Sequence, residues 1–285
     1  MSIAPERCRL VFQKLERELA KLHSRQTPES VHSFRTGTRR VQTLLQELLP
    51  ERDRNQKKLL KMLGRIRKRA GKVRDLDVQM TALRSLKMPQ EPRRKTLLMH
   101  QLIEVRAEHE KKLRKLLTKE AVREVRKRLE RASRDLRSET ARDPMAVARE
   151  MLANVDHPEG SVTEDVLHQY RIAGKRARYA AEFAPTSPEA DRFIAQLKRA
   201  QDSLGDWHDW LTLTNTAAKR LGDVRESSLV AVLHNVTGAK FRNAVAALAA
   251  LRPAPPEQES VPRKTATPRR DAKASLPAPR VTPAA

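Results

Sequence analysis

Three observations predict an all-α fold made of two repeated halves. Only 3% of the 285 residues are aromatic and only eight are glycine, a composition that favours helices over sheets. Apolar residues recur at three- and four-residue steps along most of the chain, which is the period of an amphipathic helix. The stretch 31–40 returns 136 positions later as 167–176, and an internal match of this kind fixes the architecture.

The helices of the first half follow from apolar stripes and capping signals. They are predicted over about 4–25, 28–50, 54–69, 75–86, 93–137 and 143–154. Thr27 before Pro28 predicts an N-cap followed by proline at the first helical position. Asp75 is placed in the first turn of its helix, where a carboxylate favours the positive end of the helix dipole. A kink is expected near Thr118.

The second half is predicted to repeat this plan after a loop at 156–160. Its helices are expected over about 161–183, 188–204, 206–221 and 226–251. Ser161 and Glu164 have the spacing of a capping box, and Ser187 before Pro188 predicts another N-cap. The last helix is the most apolar segment of the chain and is expected to form the core of this half.

The repeated stretch places cations on one face of each of two helices. Offsets of three and seven residues fall on the same side of an α-helix. The two stripes are His32, Arg35 and Arg39 flanked by Arg40, and His168, Arg171 and Lys175 flanked by Arg176. Cations on one face repel each other unless they lie in water or against a polyanion. Gly37 and Gly174 interrupt the stripes, and because glycine weakens a helix by about 1 kcal/mol we expect a close backbone approach there.

A second repeated pattern, G-x-x-x-D, begins at Gly71 and again at Gly205. The order H-x-x-R-x-x-x-R-R and then G-x-x-R-D-L-D-V, with a weaker second copy, resembles the CHAD domain, the conserved histidine α-helical domain. The resemblance covers roughly residues 5–250. It implies two pseudo-symmetric helical bundles around a basic central channel, binding of inorganic polyphosphate, and no catalytic activity. Where the second half has Arg178 the first has Gln42, so weaker binding is expected on that side.

Polyphosphate binding needs many cations along a path, and the chain offers them. The residues expected to bind it are His32, Arg35, Arg39, Arg40, Lys61, Lys68, Arg74, His168, Arg171, Lys175, Arg176, Arg178 and Lys198. The planar fork of arginine suits phosphate oxygens. Histidine adds a donor whose charge depends on pH, so affinity is expected to rise as the pH falls from about 8 to 6. The alternatives are that the basic faces are ordinary solvated surface and that the histidines are structural.

No enzymatic signature or metal site emerges from the sequence. It contains no Gly-rich phosphate loop, nucleophile elbow, H-E-x-x-H or E-x-E-x-K pattern. The histidines are not paired with carboxylates or thiolates at ligand spacing, so no cofactor, catalytic residue or metal is expected. Asp75, Asp77 and Asp209 are expected to cap helices or pair with arginines. The stretch 207–210 is expected to be a packing cluster.

The net charge of +24 belongs to the predicted domain rather than to the end of the chain. Residues 253–285 hold eight of the 17 prolines and predict a disordered tail. This tail contributes only +3, so residues 1–252 retain +21. The domain is expected to span 1–252, with halves at about 4–155 and 161–252.

The same charge leaves two other partner classes open. A basic protein attracts nucleic acid non-specifically, although few aromatic residues are present for base stacking. A structural protein of storage granules is the third possibility. The single cysteine, Cys8, fits a reducing compartment, and neither a membrane span nor a signal peptide is expected. A cytoplasmic protein, on polyphosphate granules, is therefore expected, while the oligomeric state stays open.

Overall fold

The fold is all-α, as the sequence predicts, in a computed structural model that describes residues 3, 5–49, 51–88, 91–136, 140–155 and 162–251. The helices in these ranges are α1 Pro5–Ser24, α2 Pro28–Thr43, α3 Arg54–Ser85, α4 Pro92–Arg114, α5 Lys119–Arg134, α6 Pro144–Ala153, α7 Glu164–Ala181, α8 Pro188–Leu221 and α9 Ser228–Ala249. A π-helical segment, Leu44–Leu48, prolongs α2. Among the helices described, none combines the length and apolarity needed to cross a membrane.

Two predicted helix breaks are wrong, because α3 and α8 each run unbroken through the G-x-x-x-D pattern. A glycine inside a helix costs about 1 kcal/mol, which the burial of neighbouring apolar residues such as Val73 and Leu204 outweighs. Asp75 and Asp209 therefore lie in the middle of long helices and do not cap them. The helix start predicted at Asp75 is wrong for the same reason.

The predicted kink near Thr118 is a complete break between α4 and α5. Residues 115–118 leave the helix, and Thr118 becomes the N-cap of α5 by accepting a hydrogen bond from the Ala121 amide at 3.2 Å. The predicted caps Thr27 and Ser187 are confirmed, with amide donors at 3.2 and 3.1 Å. α7 begins at Glu164 with Thr163 as its cap.

Ser161 of the predicted capping box, the loop at 156–160 and the tail at 253–285 lie outside the described residues.

Three apolar clusters hold the helices together. The first joins α1, α2, the first half of α3 and α5 to parts of α4, α6, α7 and α8, and it contains Phe12 and Phe34. The second joins the last turns of α3 to α4, α8 and α9, and the third joins α7, α8 and α9 around Trp207. α9 contributes to both of the latter clusters, which confirms the prediction that the last helix is a core element. Trp207 is 1% exposed, as expected for a packing cluster.

Four helices close into a ring that brings the two repeats together. α2 packs against α3 and α7, while α8 packs against the same two helices. α2 and α7 carry the two copies of the histidine–arginine motif, and α3 and α8 carry the two copies of G-x-x-x-D. The implied pseudo-symmetry of the halves stays a prediction.

Candidate functional site

A cleft of about 640 Å³ lies among the four helices of the ring, and we call it the central cleft. Its lining residues are His32, Arg35, Thr36, Arg39, Arg40, Arg74, Asp75, Val78, Arg171, Lys175, Arg178, Tyr179, Lys198, Gln201, Asp202, Gly205, Asp206 and Asp209. The cations from both repeats thus converge on one space. The continuous channel implied by the resemblance stays a prediction.

Four of the predicted binding residues are not among those that line the central cleft. Lys61 and Lys68 are exposed on another face of α3. His168 stacks on the ring of His208 with centroids 5.7 Å apart. Arg176 follows Lys175 by one residue, or about 100° around the helix, and its Nη2 pairs with Glu47 Oε1 at 2.5 Å beside α6.

Arg35 crosses from α2 to the backbone of α3. Its Nη1 donates a hydrogen bond to the carbonyl of Arg67 at 3.3 Å. A Cβ at position 71 would overlap this same guanidinium nitrogen, so glycine at 71 lets Arg35 lie flat on the helix. The close approach predicted at Gly37 exists, since Leu15 and Glu18 of α1 pack there. At Gly174 nothing lies within 4 Å of an added Cβ, but Gln201 Nε2 donates to the Gly174 carbonyl at 2.7 Å.

Glu182 holds arginines from both repeats. Its Oε2 accepts from Arg40 Nε at 2.7 Å, and its Oε1 accepts from Arg178 Nη1 at 2.9 Å. Both guanidinium groups also lie over the ring of Tyr179, with Cζ at 5.7 and 4.9 Å from its centroid. Sequence reasoning missed Glu182, although its four-residue spacing from Arg178 signals a helical ion pair.

This arrangement also bears on the departure at Gln42, which is not among the residues lining the cleft. Arg40 of the first repeat occupies the cleft beside Arg178 of the second, because both share Glu182. A cation from α2 therefore lies on the side of the cleft that Arg178 occupies, and the weaker binding expected at Gln42 stays a prediction.

Lys175 is the most perturbed cation of the cleft. Burial, followed by repulsion from Arg171 and Arg39, lowers the pKa of its ammonium to about 7. Burial also lowers the pKa of Arg171 and of Arg35. Within the described ranges, Arg39, Arg171 and Lys175 have no acidic partner at ion-pair distance. These three cations of the cleft therefore carry charge that no ion pair within the described residues neutralises.

The histidines of the two motifs sit in different surroundings. Burial, and then the charges of Arg74 and Arg35, lower the pKa of His32 in the cleft. Burial, and then the neighbouring His208, lower the pKa of His168. In the described part of the chain, no three His, Cys, Asp or Glu side chains gather in a way that could hold a metal ion.

The α8 side of the cleft is partly acidic, which the sequence reasoning did not anticipate. Asp202, Asp206 and Asp209 line it at helical spacing, and Asp206 Oδ2 pairs with Lys240 Nζ at 2.7 Å. Charges on Asp209 and Asp75 raise the pKa of Arg171 against the effect of its burial. The charged residues that line the cleft from α2 and α7 are therefore cationic, while α3 and α8 contribute charges of both signs.

Asp77 does not line the central cleft and has a structural role. It is 3% exposed, and its Oδ1 accepts from Arg106 Nε at 2.6 Å. This contact confirms the expectation that Asp77 pairs with an arginine. It joins α3 to α4.

Comparison with known proteins bears out the resemblance. The CHAD domain family matches residues 6–218. The crystal structure of the CHAD domain from the plant Ricinus communis has the same fold, with a TM-score of 0.59 at 17% identity over 88% of this chain and 93% of that one. No protein with a curated description matches the sequence. The match over residues 6–218, supported by the shared all-α fold, shows that the chain belongs to the CHAD domain family.

Proposed function

We propose that this protein binds inorganic polyphosphate in the central cleft and does not cleave it. One observation carries the proposal: cations from both repeats line a single space, and within the described residues Arg39, Arg171 and Lys175 have no acidic side chain at ion-pair distance. A polyanion would supply the missing negative charge. The association of CHAD domains in general with polyphosphate and triphosphate binding supports this choice of ligand.

The chemistry of the cleft suits a chain of phosphates. Arginine donates two parallel hydrogen bonds to phosphate oxygens and stays charged at any working pH. The aromatic side chain that lines the cleft, Tyr179, is already covered by Arg40 and Arg178. Base stacking, which single-stranded nucleic acid needs, therefore has no free Phe, Tyr or Trp ring among the lining residues.

The test is the affinity of the whole chain for long-chain polyphosphate at physiological salt. The variant Arg39→Gln/Arg171→Gln should bind about 100-fold more weakly or worse, because each charge-assisted hydrogen bond contributes about 1.5–3 kcal/mol. Arg123→Gln/Arg131→Gln, on the exposed face of α5, removes the same charge as a control and should change affinity little. If both variants lose the same affinity and keep the wild-type circular dichroism spectrum, binding depends on net charge and the proposal is wrong.

Two further measurements separate this function from its alternatives. Duplex DNA of equal charge should fail to displace labelled polyphosphate from the cleft, and displacement by DNA would contradict the proposal. Incubation of polyphosphate with the protein and divalent cations should release no orthophosphate, because binding is proposed without catalysis. Orthophosphate release that the cleft variant loses would instead show an enzyme.

We also propose that the protein resides in the cytoplasm on polyphosphate granules, through the same cleft. A fluorescent fusion of the whole chain should colocalise with granules. The fusion carrying Arg39→Gln/Arg171→Gln should be diffuse. Granule localisation that persists in this variant would point to a storage-granule protein held by other contacts.

A further inference from the structure

The first half of α3 carries an unbroken row of exposed cations that do not line the central cleft. We call this row the outer α3 stripe; it consists of Lys57, Lys58, Lys61, Arg65, Lys68, Arg69 and Lys72. Helical spacing places these residues within about 120° of one another, over about 22 Å of helix. The sequence contains no acidic residue between Asp53 and Asp75. In the described ranges, none of the stripe side chains has a hydrogen-bond or ion-pair partner.

The positive field of the stripe reaches the neighbouring helix. His109 of α4 has a pKa lowered first by burial and then by the charges of Lys112, Lys72 and Arg69. Glu108 acts in the opposite direction but more weakly. The charges of Lys72 and Arg69 therefore act on a side chain of the neighbouring helix.

A comparison within the molecule separates this face from an ordinary basic surface. The exposed cations Arg123, Lys127 and Arg131 of α5 share their helix with Glu120, Glu124 and Glu130. Alternating signs of this kind are typical of a solvated helix face. The outer α3 stripe has one sign only, and an attached polyanion would relieve the mutual repulsion of its members.

We propose that the outer α3 stripe binds the backbone of duplex nucleic acid without sequence specificity, independently of polyphosphate in the central cleft. The stripe is a convex helix face, and the major groove of a duplex admits an α-helix with phosphates on both sides. A thin single chain would meet only part of such a face. Residues 54–74 contain no aromatic side chain, so stacking of unpaired bases is not provided for.

The test measures binding of the whole chain to a labelled duplex of about 24 base pairs between about 50 and 200 mM salt. Lys61→Gln/Arg65→Gln/Lys68→Gln should lower affinity at least about tenfold and reduce the log–log salt slope by about 2.7, because each lost phosphate contact contributes about 0.9. The matched variant Arg123→Gln/Lys127→Gln/Arg131→Gln removes the same charge from α5. It should keep the wild-type slope.

Three other results would overturn the proposal that the outer α3 stripe binds duplex nucleic acid. Equal effects of the α3 and α5 variants would overturn the proposal in favour of net charge. Loss of polyphosphate affinity with unchanged DNA affinity in the α3 variant would also overturn it, and would make the stripe an extension of the cleft. Arg39→Gln/Arg171→Gln separates the two proposals: it should lose polyphosphate and still bind DNA. If DNA binding is lost in that variant alone, the duplex uses the cleft and the stripe proposal fails.

Discussion

Lys175 is half-buried beside other cations and also lines the central cleft. Its ammonium has a pKa of about 7 because burial and the charges of Arg171 and Arg39 disfavour the protonated form. A bound polyanion would favour that form. Ligand binding should therefore be coupled to proton uptake at this residue.

The first prediction is a pH dependence that arises from Lys175. The pKa is about 7 in the empty cleft and should be higher in the complex, so affinity is greatest below pH 7. Affinity for long-chain polyphosphate should then fall as the pH rises from about 7 to 9, by up to about tenfold per unit. The measurement is the dissociation constant across this range. Lys175→Arg, which stays charged, should flatten the slope, and a slope that survives this change would assign it elsewhere.

His32 should add a second, more acidic contribution. Burial lowers the pKa of His32 in the empty cleft. Protonation of His32 should therefore add affinity only at pH values below about 6.5, the ordinary pKa of histidine. His32→Gln should remove pH dependence between about pH 6.5 and 5 without altering the slope above pH 7. His168→Gln should have no such effect, because His168 stacks on His208 and is not among the cleft-lining residues. Equal effects of the two changes would contradict this assignment.

At the scale of the helix, α3 shows how a glycine can serve a binding side chain rather than a turn. Gly71→Ala should keep or raise helix stability, because alanine favours helices and the group that it meets is the mobile end of Arg35. The displaced guanidinium should cost about tenfold or more in polyphosphate affinity. The measurements are thermal unfolding and polyphosphate titration.

Gly64→Ala on the same helix is the matched control. Nothing lies within 4 Å of a Cβ at position 64, so this change should stabilise the protein by about 0.5–1 kcal/mol and leave binding unchanged. A similar loss of affinity in both variants would show that helix rigidity, rather than the position of Arg35, governs binding.

The sequence predicted which segments are helical better than it predicted where the helices break. Apolar periodicity located the helical segments of the described residues, although it joined α4 to α5 and divided α3 and α8. Capping residues such as Thr27 and Ser187 located the starts of α2 and α8. The breaks predicted at Gly71 and Gly205 were wrong because local propensity does not contain the tertiary burial that carries α3 and α8 through these glycines. The prediction of a kink at Thr118 underestimated the break. The Thr118 hydroxyl favours an N-cap over a position inside a helix, and a new helix therefore begins after it.

The sequence also predicted most of the cleft, because a repeat of Arg35 and Arg39 as Arg171 and Lys175 is visible without coordinates. It missed Glu182, whose pairing with Arg40 joins residues 142 positions apart. Arg176, which the sequence places at the flank of the second stripe, does not line the cleft but lies beside Glu47. One residue along α7 turns the side chain by about 100°. The spacing of residues along a helix predicts which side chains share a face. It does not predict which faces of different helices come together, because tertiary packing determines that.

For the whole molecule, the cleft should lower the stability of the ligand-free protein. Lys175→Met removes a half-buried charge that, within the described residues, has no acidic side chain at ion-pair distance. It should raise the free energy of unfolding by about 0.5–2 kcal/mol while weakening polyphosphate binding. Thermal or urea unfolding without ligand measures this gain. Lys198→Met, at an exposed position of the cleft, should stay within about 0.5 kcal/mol of wild type. A destabilised Lys175→Met protein would show that the ammonium has a structural partner.

Because Glu182 is shared between the repeats, the order of synthesis determines when the cleft can exist. Along the sequence, Val78 is the last residue of α2 and α3 that lines the cleft, and Arg171 is the first such residue of α7. At about 5–20 residues per second, the ribosome needs on the order of 5–20 s to add the intervening segment. During this interval Arg40 has been made and its carboxylate partner has not. A nascent chain therefore presents basic helices before it can enclose a ligand, and the cleft forms only when the second repeat folds against the first.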